Sequence, residues 1–154
     1  MSVRILIMLG STLWMAGCGI LDAGDGDAFD DLRRARDAWS RAGTVDYDLA
    51  MRRLCFCWTP IDVTVVVRDG ERVAVLYAPD GAPAPVPQEI VEYYPTIDGL
   101  FDIVEEALTT DADEVRVTYH PDLGYPVDLW IDQSRSIADE ELGFEVELIP
   151  ITDP

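Results

Sequence analysis

Lysine is absent: all 11 basic residues are arginine, set against 30 aspartates and glutamates for a net charge of −19. A surface of that sign repels nucleic-acid phosphates and anionic lipid headgroups alike, which excludes nucleic-acid binding as a class. Histidine is nearly absent too. His120 is the only one, so a histidine-activated nucleophile would have to pass through it, and its neighbour Pro121 makes it a turn residue. Cysteine is confined to Cys18, Cys55 and Cys57. No apolar run reaches the ~20 residues of a membrane-spanning helix; the longest covers residues 5–17.

That run follows a short start with one positive charge, Arg4, and has the length of a signal-peptide hydrophobic region. It closes on Leu13-Trp14-Met15-Ala16-Gly17-Cys18, which resembles the bacterial lipobox, small residues ahead of a cysteine. Met15 stands where that signal usually has leucine. The resemblance implies a lipid thioether on Cys18, removal of residues 1–17 and acylation of the new amino terminus. Loss of Arg4 leaves ten basic residues against 30 acidic ones, a mature charge of −20. Residues 18–27, rich in Gly and Asp, read as a flexible tether. Their acids do not make an EF-hand. Counting from Asp25, positions 5, 6 and 12 hold Phe29, Asp30 and Arg36, where oxygen, glycine and glutamate are needed. Asp25 or Asp27 is better read as a helix N-cap, with Asp30 and Asp31 near the positive end of the dipole.

From residue 28 a single domain is expected to run to residue 154. Phe29, Leu32, Ala35, Trp39 and Ala42 recur at helical spacing, and Gly43 supplies a stop. Period-two patterns follow from Asp46 and again from Ile61, where Val63, Val65 and Val67 alternate with more polar neighbours; Asp69-Gly70 then marks a hairpin. Five prolines in residues 79–95 predict a stiff extended connector. Thr96 caps a second helix with Ile97, Leu100, Phe101, Val104, Ala107 and Leu108 on one face. Three more alternating segments centre on Val117, Leu129 and Val146. The expectation is an α+β fold: two helix-plus-three-strand units forming one antiparallel sheet with both helices on one face.

Trp39, Tyr47, Cys55-Phe56-Cys57, Tyr94-Pro95-Thr96-Ile97, Tyr119-His120-Pro121, Gly124-Tyr125-Pro126 and the acids Asp132, Asp139 and Glu140 together resemble an uncharacterised bacterial lipoprotein family, a domain of unknown function with C-x-C, Y-P-T-I and G-Y-P motifs. The resemblance implies address and fold, and assigns no catalytic residue.

Cys55 and Cys57 are the leading candidates for chemistry. With Cys18 given to the lipid they form an even pair in an oxidising compartment. In an extended strand the Cα atoms of i and i+2 stand about 6.5–7 Å apart, the outer limit for a disulfide, so a bond requires the strand to bend. Free or redox-active thiols and a soft-metal site such as Cu(I) remain open beside it. Tyr125 and Trp130 are the candidate partner contacts, as aromatics expected at the surface. Asp132, Asp139, Glu140 and Glu141 could gather calcium, though at no familiar ligand spacing. The reading that results is a non-enzymatic envelope lipoprotein, extracytoplasmic on the periplasmic or surface face. It meets the membrane through its anchor alone, needs no cofactor, and binds an envelope protein or another envelope component. A thiol-redox or metal-handling protein using the C-x-C pair is the alternative. A hydrolase is the weaker one, lacking a nucleophile–base pair.

Overall fold

A computed structural model of the chain describes residues 25–58, 62–77, 84–149 and 151. Cys18 and the signal-like segment lie outside the described residues. Helix α1 is Asp25–Ala42, so it begins inside the stretch read as tether, and Asp27 sits within its first turn rather than at its cap. Leu32, Ala35 and Trp39 form its buried stripe, and the pairs Asp30–Arg33 and Asp31–Arg34 support its exposed face. Gly43, at φ 63°, ends it.

Strands β1 (Tyr47–Cys55), β2 (Asp62–Arg68) and β3 (Glu71–Tyr77) follow, then helix α2 (Ile97–Thr109) and strands β4 (Glu114–Tyr119), β5 (Pro126–Asp132) and β6 (Leu142–Ile149). The sheet order is β3-β2-β1-β6-β5-β4, antiparallel throughout. Asp69 and Gly70, both left-handed, make the tight β2–β3 turn. The Asp69 and Gly70 amides donate to Asp46 Oδ1 and the Val45 carbonyl, which fixes the turn to the end of the α1–β1 link. In α2 the Thr96 hydroxyl accepts the Gly99 amide, and Ile97, Leu100, Phe101, Val104 and Ala107 are buried.

The α+β class holds, but the division into two helix-plus-three-strand units does not. The chain forms one six-stranded sheet with one long helix of 18 residues and a second of 13. The β1–β6 ladder, where the two units would have met, has eight register pairs and is the longest in the sheet. Burial explains why no seam forms. Trp39 of α1 packs edge-on against both Tyr47 of β1 and Tyr125 beside β5. The Tyr47 hydroxyl in turn accepts the amide of Ile97, the first residue of α2. Trp39 thus packs on residues from both halves of the chain, the Tyr47–Ile97 bond joins β1 to α2, and the buried residues form a single core.

The proline-rich connector is also more structured than expected. Its residues 84–86 lie along β3: the Tyr77 amide donates to the Ala84 carbonyl and the Val86 amide to that of Val75. Pro85 and Pro87 alternate with these bonding residues, so the missing proline N–H groups are not needed. A 3-10 turn, Gln88–Tyr93, then leads to the buried Tyr94.

Candidate functional site

At its far end β1 runs into the C-x-C motif. Cys55 is the last strand residue, and Phe56 and Cys57 form a bend. Cys55 and Cys57 are joined by a disulfide across Cα atoms 5.2 Å apart, closer than an extended strand would place them. Closing that small ring stops the strand, and this decides the direction of the neighbouring rings. Aromatics beyond a strand end have no sheet face to bury against. Phe56 is 81% exposed and Trp58 fully exposed.

Beside the tip lies a groove of about 670 Å³, lined by Arg53, Trp58, Tyr77, Ile90 and Tyr93 among others. Three elements build it: the end of β1, the end of β3, and the 3-10 turn that the paired connector holds in place. The Arg53 guanidinium spans the site. It sits 5.1 Å from the centre of the Tyr93 ring, a cation–π arrangement, and Nη1 lies 3.1 Å from Cys57 Sγ. The Arg53 cation thus links an aromatic ring of the groove to the sulfur of the exposed residue Cys57. A second depression, on the opposite face of the sheet, is crossed by Arg52, already paired with Asp62 at 2.8 Å and Glu145 at 3.4 Å.

The other expected contacts fall elsewhere. Tyr125 is not exposed: it is 4% accessible, packed on Trp39 and stacked on His120 at 5.0 Å. Gly124 explains its position. At φ 79° it approaches α1 so closely that a Cβ there would collide with the Ala35 carbonyl oxygen and stand 2.8 Å from Ala38 Cβ, so the turn carries Tyr125 inward. Trp130 lies half-buried on the opposite face of the sheet, 5.7 Å from the Arg116 guanidinium. It covers Gly143, its partner across the β5–β6 ladder, where a Cβ would come within 2.9 Å of the indole. The two aromatics do not form one surface.

His120 works as a turn brace. Its Nδ1 accepts the amides of Asp122 and Leu123, each at 3.2 Å, and its own amide and carbonyl bond Tyr125 and Gly124. Among the described residues no three His, Cys, Asp or Glu side chains gather as a metal site; Asp132, Asp139, Glu140 and Glu141 do not converge. Two tyrosines have perturbed hydroxyls. Burial raises that of Tyr47 despite its bond from Ile97. Tyr119 is pushed up to about 12, first by burial and then by the charge of Asp31, with Arg36 opposing.

Residues 31–150 match a family of unknown function, DUF6174. The chain belongs to that family. The match runs from the first turns of α1 to the end of the sheet, so the C-x-C tip, the groove and the Gly124 turn all lie within the DUF6174 domain. No curated protein and no solved structure matches the chain.

Sequence reasoning missed Phe56, Trp58 and Tyr93. Phe56 and Trp58 were legible only once Cys55 and Cys57 were taken as bonded, because that bond ends the strand. Tyr93 precedes the Tyr94-Pro95-Thr96-Ile97 motif, and nothing in the pattern marks which of the two tyrosines turns inward.

Proposed function

We propose that this DUF6174 protein is a membrane-anchored lipoprotein of the bacterial envelope, lipidated on Cys18. Its domain binds a protein or another envelope component, without enzymatic turnover, through the disulfide tip and the adjoining groove. The observation that carries the binding reading is the full exposure of Trp58 beside Phe56, at 81%, on a bend closed by a covalent ring. Exposed large aromatics held over a groove are the features of an interaction site. The lipobox-like Met15-Ala16-Gly17-Cys18 supports the anchor. A mature charge of −20 leaves the tether as the contact with an anionic bilayer.

Two substitutions test the parts separately. Cys18→Ala should abolish lipid labelling and move the protein out of the detergent phase; unchanged partitioning would contradict the anchor. Trp58→Ala should leave anchoring intact and remove cross-linking to envelope components; undiminished cross-linking would contradict the tip as the contact.

A further inference from the structure

We propose that the Cys55–Cys57 disulfide is an exchange site that oxidises a pair of reduced cysteines on a polypeptide lying in the groove, with Arg53 stabilising the Cys57 thiolate. The step deepens the binding reading, because it rests on the tip meeting a polypeptide. Three features carry it. Cys57 is exposed while Cys55 is half-buried, so an incoming thiolate reaches Cys57 Sγ first. Arg53 Nη1 lies 3.1 Å from that same sulfur, and a neighbouring guanidinium favours thiolate over thiol. The ring spans only three residues, so it constrains the unfolded chain little and stabilises less than a long loop would.

The exchange is stoichiometric, one C-x-C disulfide consumed for each partner disulfide formed, so it balances without an external oxidant and without catalytic turnover. A partner thiolate attacks Cys57 Sγ, the Cys55–Cys57 bond breaks, and Cys55 leaves as a thiolate that takes a proton. The partner's second thiolate then attacks the partner sulfur of the mixed disulfide. Cys57 departs as a thiolate beside Arg53, and the partner holds the new disulfide. Two electrons pass to the C-x-C pair. Stabilising the departing Cys57 favours the reduced form and makes the pair more oxidising.

The test is equilibration of the whole domain in glutathione redox buffers, with each thiol state read by mass. Wild type should be reduced at ratios that leave long-loop disulfides intact. Arg53→Gln should shift the equilibrium about tenfold toward the disulfide, about 30 mV for a two-electron couple, and Arg53→Lys should recover part of the shift. In single-cysteine variants, Cys55→Ser should form the Cys57–glutathione adduct much faster than Cys57→Ser forms its counterpart. Equal equilibria for wild type and folded Arg53→Gln, or equal adduct rates, would overturn the exchange site. Either failure with cross-linking at residue 58 intact would leave the binding reading standing. Exchange with a reduced dithiol peptide that proceeds equally well in Trp58→Ala would instead remove the groove as the polypeptide contact.

Discussion

The β1–β2 tip and the β4–β5 turn are both short, aromatic and marked by a proline, yet they send their rings in opposite directions. In the β4–β5 turn, Gly124 brings the backbone against α1, His120 braces the loop through Nδ1, and Tyr125 enters the core beside Trp39. At the β1–β2 tip a ring between neighbours i and i+2 halts the strand, and Phe56 and Trp58 are left in solvent. A motif's composition does not decide whether its aromatics stabilise the fold or face a partner. The local backbone decides, by turning the chain toward a helix or away from every packing face. The first region should therefore be read in stability and the second in contacts.

The largest expected effect sharpens the inward half. Gly124→Ala places a Cβ against the α1 backbone and asks alanine to adopt φ 79°. Left-handed strain adds to overpacking, so we expect a loss of about 4 kcal/mol in urea unfolding. A loss below about 1 kcal/mol would mean that α1 does not approach the turn so closely. Trp39→Ala, Phe101→Ala and Tyr125→Ala should each cost about 3–5 kcal/mol, a large part of the about 5–15 kcal/mol of a typical domain.

Tyr119 gives the comparison a pH dependence. Its hydroxyl is buried without a hydrogen-bond partner and pushed up to about 12 from an ordinary 10.0, chiefly by burial. The unfolded chain loses this proton first as pH rises. Its titration therefore costs no stability below about pH 10 and increasingly destabilises the fold as pH climbs toward 12. Tyr119→Phe should remove that part of the alkaline loss and raise stability at neutral pH by about 1 kcal/mol, since no partner is forfeited. A Phe variant with the same alkaline profile as wild type would assign the loss to other groups, Tyr47 among them.

The smallest effects belong to the tip. Replacing both Cys55 and Cys57 by Ser should cost no more than about 1.5 kcal/mol, the entropic value of so short a ring. Trp58→Ala should cost less than about 0.5 kcal/mol. A tip variant as damaging as Tyr125→Ala would erase the contrast between the two regions.

What the sequence disclosed follows the same physics. The Thr96 cap and the spacing of Ile97, Leu100, Phe101 and Val104 are local, and α2 forms where they indicate. Asp69-Gly70 is local too, and its turn is as expected. Alternation in Val63, Val65 and Val67 identified a buried face correctly. The inward course of Tyr125 was not legible, because it depends on Gly124 meeting Ala35, far away in sequence. Trp130 read as an exposed aromatic because its partner in packing is a glycine on another strand, Gly143. The unity of the fold was hidden for a similar reason: Trp39 and Tyr47 tie the helices across a boundary that connectivity alone suggests.

The most direct test places a photo-reactive amino acid at position 58 and, as a control, at Ile137, an exposed apolar residue (55% accessible) outside the groove, in the full-length protein within intact envelopes. Defined adducts are expected from position 58, weakening when Phe56 or Tyr93 is replaced by alanine, and none of the same identity from position 137. Adducts of the same identity and yield from both positions, or none from position 58 in a folded, anchored protein, would contradict the tip as the contact.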